Sequence, residues 1–139
     1  MKRGARSDLL ALLRAGLHGG GASDIDGSTG DRWRELYTVA ASQGVLALGW
    51  DGVRQLPPAS QPPRELRLRW AYNVERIERR YAGQRRRAAE LAAIYAEAGI
   101  RTVVLKGRAV SRLYPVPEHR PCGDLDCFLI GGDTIARIV

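Results

Sequence analysis

Two aspartates, Asp124 and Asp126, are the residues whose type and spacing indicate chemistry most directly. Alternate residues of an extended chain point to the same face. An Asp-x-Asp step that opens a strand therefore aims two carboxylates at one spot, although such acids also occur as a polar strand start or in turns. Paired carboxylates attract a hard divalent cation such as Mg²⁺, which is usually held beside substrate phosphates. We predict that Asp124 and Asp126 are metal ligands.

Three further residues around this pair have candidate roles towards an anion. Gly107 lets the backbone come close to a phosphate, and Lys106 before it either supplies a positive charge to that phosphate or points to solvent at a strand end. Arg120 either pairs bidentately with a phosphate or locks the loop by binding Asp124 or a carbonyl oxygen.

The elements that must position these residues are short. Residues 101–105 form a β-branched, apolar run that predicts a first strand, residues 108–113 a short helix, and residues 125–130 a second strand. Asp133 then caps a last helix. His119 is predicted to be a loop residue, since no Ser, Cys or acid at useful spacing makes it a general base.

Residues 103–130 resemble the catalytic core of the nucleotidyltransferase superfamily that includes DNA polymerase β, and most closely a bacterial family of uncharacterised nucleotidyltransferases. The matching elements are, in order, Leu105-Lys106-Gly107, a small helix, Tyr114-Pro115, Arg120 and Asp124-Leu125-Asp126. The resemblance implies Mg²⁺-dependent transfer of a nucleoside monophosphate from a nucleoside triphosphate to a hydroxyl group of an unidentified acceptor. It also implies that Asp124 and Asp126 are catalytic ligands of a two-metal site, and that Lys106, Gly107 and Arg120 bind the nucleotide.

The same resemblance implies a third metal-binding acid on a later strand. After Ile130 the remaining acid is Asp133, which is typical of a helix cap. A two-stranded sheet is also marginal without further strands. We therefore expect an incomplete chain: the start of a longer enzyme, a truncated reading frame without activity, or a domain that a partner chain completes.

The residues before the core predict helices. Ser7 is expected to cap a helix over residues 8–17, and Asp31 a helix to residue 43, followed by a third over residues 45–56. Residues 19–30 are Gly, Ser and Asp rich, which predicts a flexible linker. The predicted fold class is α+β, with a helical region over residues 1–63. Residues 64–139 then hold a long helix and the first strand-helix-strand of a nucleotidyltransferase fold.

Residues 64–98 have the periodicity of one long helix that starts after Pro63. Apolar residues recur at spacings of three and four or their sums, at Leu66, Trp70, Val74, Ile77, Tyr81, Ala88, Leu91, Tyr95 and Ala98. Gly83 is expected to bend this helix and Gly99 to end it. Its other faces mix Arg and Glu, which is typical of a solvated surface. Arg85, Arg86 and Arg87 are the predicted place of a nucleic-acid contact.

Composition and charge limit the remaining classes of function and cellular location. The net charge of +7 and pI near 10.1 indicate either an anionic partner or an Arg-biased coding composition. No apolar run reaches the roughly 18 residues of a membrane span. Asp8 and Arg14 interrupt the leucine-rich start, which predicts an amphipathic helix of a cytoplasmic protein. Cys122 and Cys127 form neither a disulfide framework nor a zinc pattern, so we expect buried or half-buried thiols in a reducing compartment.

Two other functions remain open at this point. One is a non-catalytic, basic helical module that binds nucleic acid or acts as a scaffold and carries a remnant core. The other, ranked lower, is a glycosyltransferase that uses Asp-x-Asp. Those enzymes normally place a sizeable α/β nucleotide-binding half before the acidic pair, whereas the residues before it here are helical.

Overall fold

The computed structural model describes residues 4–20, 25 and 29–131 and has the predicted α+β class. Its helices and strands are α1 (Ala5–His18), α2 (Gly30–Ser42), α3 (Leu46–Val53), α4 (Arg64–Glu97), β1 (Arg101–Leu105), α5 (Gly107–Ser111) and β2 (Asp126–Ile130). Short 3₁₀ turns lie at Pro58–Ser60 and Pro117–His119. Most of the predicted linker over residues 19–30, and the helix predicted after Asp133, lie outside the described residues.

The chain forms two compact units, Met1–Ile77 and Glu78–Val139, and the division falls inside α4. The predicted long helix is confirmed almost to the residue, and it is continuous through Gly83. Gly99 follows it with φ +73°, a left-handed conformation that favours glycine and ends helices.

Trp70 of α4 is the centre of the core of the first unit. Its side chain is fully buried, and its indole Nε1 donates a hydrogen bond of 2.8 Å to the backbone oxygen of Leu46. Trp33 and Tyr37 of α2 contact its ring edge-on, with centroid distances of 6.4 and 5.4 Å. Edge-to-face pairs stabilise beyond the apolar area that they bury. The apolar residues of the first-unit part of α4 therefore form the surface on which α2 and α3 pack.

Helices α1 and α3 cross at two glycines. A Cβ atom on Gly52 would lie 2.1 Å from the backbone oxygen of Leu12, and one on Gly16 would lie 2.7 Å from that of Leu48. Real Cβ atoms do not approach backbone atoms so closely. The two backbones are therefore in direct contact, which only residues without a side chain permit.

Two of the predicted helix caps are wrong. Helix α1 begins at Ala5, so Ser7 lies inside its first turn, and its N–H donates to the oxygen of Gly4 at 2.9 Å. Helix α2 begins at Gly30 after Thr29, and Asp31 lies in its first turn. A carboxylate is favourable in a first turn because of the helix dipole. An acid near a helix start therefore marks the start without fixing the cap position.

In the second unit, β1 and β2 pair antiparallel, with Arg101 opposite Ile130 and Leu105 opposite Asp126. Leu129 is buried, whereas its neighbour Phe128 is 43% exposed, as expected where alternate residues face opposite sides. The pairing brings together the two ends of the intervening segment, residues 106–125. The predicted site residues all lie on this segment or at its ends.

None of the helices in the described part of the chain combines the length and the apolar composition needed to span a lipid bilayer.

Candidate active site

The structure brings Lys106 and Asp126 together at one end of the two-stranded sheet. Lys106 directly follows β1, Asp126 opens β2, and the pairing of Leu105 with Asp126 places them side by side. Lys106 Nζ lies 3.6 Å from Asp126 Oδ2, and both side chains are largely exposed, at 79% and 48%. An exposed ion pair at this distance adds little to stability. Both charged groups can therefore exchange this contact for one with a ligand.

The backbone of Lys106 has an unusual conformation. Its φ of +48° and ψ of −128° lie in a region that glycine occupies freely, and no other described residue except glycine has a positive φ. For a residue with a side chain, such a conformation costs about 1–3 kcal/mol and clusters at functional sites. Gly107, which we predict to let the backbone approach a phosphate, directly follows this position and begins α5.

Asp124 lies in the loop before β2, because the strand begins at Asp126, one residue later than predicted. Its side chain is exposed and makes no hydrogen bond or ion pair within the described residues. The strand rule that alternate residues share a face does not extend to Asp124. The convergence of the two carboxylates on one cation therefore stays a prediction.

Arg120 holds the loop through a carbonyl oxygen, one of the alternatives that the sequence left open. Its Nη1 donates to the backbone oxygens of Gly107 at 3.1 Å and of Pro121 at 3.2 Å. A Cβ on Gly107 would lie 3.4 Å from the same nitrogen. This is an ordinary van der Waals distance, so the contact with Arg120 does not by itself require glycine at position 107. The other two guanidinium nitrogens have no partner in the residues that the structure describes, so they are available to an anion.

One face of α4 fixes the segment between the two strands at three points. Glu78, Tyr81 and Gln84 are spaced three residues apart, which places them on neighbouring turns of one helical face. Their hydrogen bonds are Glu78 Oε1 to His119 Nε2 at 2.8 Å, Tyr81 Oη to Ser111 Oγ at 2.8 Å, and Gln84 Nε2 to the backbone oxygen of Gly123 at 2.7 Å. The last of these holds the residue directly before Asp124.

His119 is not the loop residue that the sequence predicted. It closes the 3₁₀ turn Pro117–His119, is 3% exposed, and binds Glu78, which lies 41 residues earlier in the chain. A buried polar side chain must be hydrogen-bonded to be tolerated. Sequence spacing could not find this partner because the acid is on another element.

The two cysteines are free and half-buried, as expected. Burial raises the pKa of the Cys127 thiol, and the charge of neighbouring Asp126 raises it further. Because the thiolate is the reactive form, Cys127 is kept in its less reactive state.

The carboxylates suit a hard cation. Among the described residues, no group of three or more His, Cys, Asp or Glu side chains is arranged to hold a metal. Mg²⁺, however, is commonly held by one or two carboxylates while water and substrate phosphates complete its shell. The donor set of Asp124 and Asp126 fits such a shared site.

A strand, a Lys-Gly step, a short helix and two acids at and just before the adjacent strand lie in the order that the resemblance to nucleotidyltransferases predicts, and the family comparison gives this class of protein. The chain belongs to the family described as uncharacterised nucleotidyltransferase, whose family model matches residues 29–138. The match includes α2 and α3 as well as the segment that carries the site. A search of curated proteins and a search of solved structures each gave no match. A general role in nucleotidyl transfer follows from the family.

Proposed function

We propose that this protein transfers a nucleoside monophosphate from a nucleoside triphosphate to a hydroxyl group, with Mg²⁺ held by Asp124 and Asp126. The observation that carries the proposal is the pairing of Leu105 with Asp126, which sets a lysine and a carboxylate side by side at one end of the sheet. A cation for phosphate and an acid for metal are the two charges that a metal-bound triphosphate requires.

The proposed reaction is a displacement at the α-phosphorus. The acceptor oxygen forms a bond to this phosphorus, the bond to the bridging oxygen breaks, and pyrophosphate leaves. Bound Mg²⁺ would neutralise charge on the phosphates and lower the pKa of the attacking hydroxyl. Lys106 and the free nitrogens of Arg120 would bind the triphosphate. The acceptor is a protein, a nucleic acid, a sugar or a small molecule.

The test is isothermal titration of the protein with ATP and the other nucleoside triphosphates, in Mg²⁺ and in EDTA. We expect binding that requires Mg²⁺ and is lost in the Asp124→Asn, Asp126→Asn double variant. A Glu65→Gln, Glu97→Gln variant removes two exposed acids elsewhere and should bind as the wild type does. Binding that is equal in EDTA, or that survives in the double aspartate variant, would overturn the proposal.

The hydrogen bond from Gln84 to the backbone oxygen of Gly123 gives a second prediction. Without it, Asp124 loses the side-chain contact that holds its loop to α4. Groups that support metal ligands typically change metal affinity by about 10–100-fold, so we expect Gln84→Ala to weaken binding of Mn²⁺-ATP by about tenfold. Gln84→Glu should do the same because a carboxylate cannot donate. The control is Gln43→Ala, an exposed glutamine of the first unit. Unchanged affinity would show that Gln84 does not position Asp124.

A further inference from the structure

Helix α4 has an outward face that the candidate active site does not use. Positions 79, 80, 83, 86 and 87 fall within an arc of about 120° at about 100° per residue, which places their side chains on one side of the helix. They are Arg79, Arg80, Gly83, Arg86 and Arg87. We call these five residues the arginine face. Arg85 and Arg87 are two positions apart, which is about 200° around the helix at 100° per residue, so the predicted cluster of residues 85–87 is not one surface.

Three of the four arginines of this face have no partner among the residues that the structure describes. Arg80, Arg86 and Arg87 are exposed and make no hydrogen bond or ion pair in the described residues. Arg80 also has no acid at the helical spacings of three and four, where Arg76, Ile77, Gly83 and Gln84 lie. The mixed charge of an ordinary solvated helix would provide such a partner.

Gly83 lies at the centre of the arginine face. A Cβ there would meet no atom within 4 Å, so packing does not require glycine, and the helix continues through this position. A glycine in the middle of a helix is otherwise unfavourable. Between the four arginine side chains, Gly83 leaves the backbone of α4 uncovered. The phosphates of an anionic chain can therefore approach the helix closely at this position.

The arginine face also adjoins the candidate active site. Gln84 lies four residues after Arg80 and three before Arg87, so the three form one stripe along α4. Gln84 is the residue that holds Gly123, directly before Asp124. An anionic chain on this stripe would run beside the loop that carries the proposed metal ligand.

We propose that the arginine face binds the phosphodiester backbone of a nucleic acid. Guanidinium groups recognise phosphate bidentately, and the face extends about 12 Å along the helix. That length corresponds to about three phosphates at an axial spacing of about 3.4 Å per strand. The face carries no apolar side chain to enter a lipid surface. Binding through phosphates positions a strand without reading its sequence. This proposal does not depend on the proposed catalysis.

The test is fluorescence anisotropy with labelled mixed-sequence RNA of about 20 nucleotides and with duplex DNA of equal length, from about 50 to 200 mM salt. We expect the Arg80→Gln, Arg86→Gln, Arg87→Gln variant to bind at least about tenfold more weakly and to lower the salt slope by about 2–3. The matched control replaces three exposed arginines of the first unit, Arg6→Gln, Arg14→Gln, Arg64→Gln. This control variant should change the affinity for nucleic acid by less than about threefold, because it lowers the net charge equally without removing a direct contact to phosphate.

A second pair of variants distinguishes a change in the charge of the arginine face from a change in the folding of α4. Gly83→Glu places an acid among the arginines and should weaken binding by about tenfold, whereas Gly83→Ala should bind within about twofold of the wild type and fold at least as well. Equal losses in both triple variants would overturn the proposal, as would binding to anionic lipid vesicles without binding to either nucleic acid. The Asp124→Asn, Asp126→Asn variant should keep its nucleic-acid affinity, so failure here is distinct from failure of the catalytic proposal.

Discussion

Gly52→Ala is expected to destabilise the first unit by about 3 kcal/mol or more. The new Cβ would lie 2.1 Å from the oxygen of Leu12 and 2.7 Å from its carbonyl carbon. These are backbone atoms of a helix, so they cannot rotate away as a side chain would. Helices α1 and α3 must move apart, which opens the contact between them. Folded domains are stable by only about 5–15 kcal/mol, so this loss is a large fraction of the total.

Urea denaturation followed by tryptophan fluorescence measures this effect, because all three tryptophans, Trp33, Trp50 and Trp70, lie in the first unit. The control is Gly30→Ala in the same unit, where a Cβ would lie at an ordinary contact distance of 3.6 Å from Pro63 Cγ, so the midpoint should not fall. An unchanged midpoint for Gly52→Ala would mean that α1 and α3 are not in direct backbone contact.

Local periodicity accounts for the parts of the fold that the sequence predicted well. Helix α4 has an apolar residue at almost every turn and glycine after its end, and both signals act within a few residues of each other. The β-branched run of β1 is equally local. The family match begins at residue 29 and therefore extends over the helices before the core as well. Helix starts were less accurate because Ser7 and Asp31 are favourable in a first turn as well as at a cap.

The contacts that position the candidate site could not be predicted because they join distant residues. Tyr81 and Ser111 are 30 residues apart, and Gln84 and Gly123 are 39 apart. The available signal was the row Glu78, Tyr81, Gln84 at intervals of three, whose middle member also continues the apolar stripe of the helix. Such a row predicts that something binds it, but its partners depend on how the loop folds back.

Lys106→Gly is expected to make the protein more stable and its binding of nucleoside triphosphate weaker. The φ of +48° and ψ of −128° at Lys106 cost about 1–3 kcal/mol for a residue with a side chain, and glycine relieves this cost while losing about 0.5–1 kcal/mol of chain entropy. We expect a net gain of about 1 kcal/mol in the free energy of unfolding. Loss of a charged contact to phosphate, worth about 1.5–3 kcal/mol, should weaken Mg²⁺-ATP binding by about 10–100-fold.

Two further variants separate backbone strain from charge. Lys106→Met removes the charge and keeps the strained backbone, so it should weaken Mg²⁺-ATP binding as Lys106→Gly does without the gain in stability. Lys106→Arg keeps the charge and should retain most of the affinity. Thermal unfolding and isothermal titration on all three variants measure the two effects independently. If Lys106→Gly binds Mg²⁺-ATP as tightly as the wild type does, Lys106 is a solvent-exposed strand end. If Lys106→Gly binds Mg²⁺-ATP more weakly and is more stable, the strained backbone at position 106 is tolerated because the lysine ammonium group is needed beside Asp126.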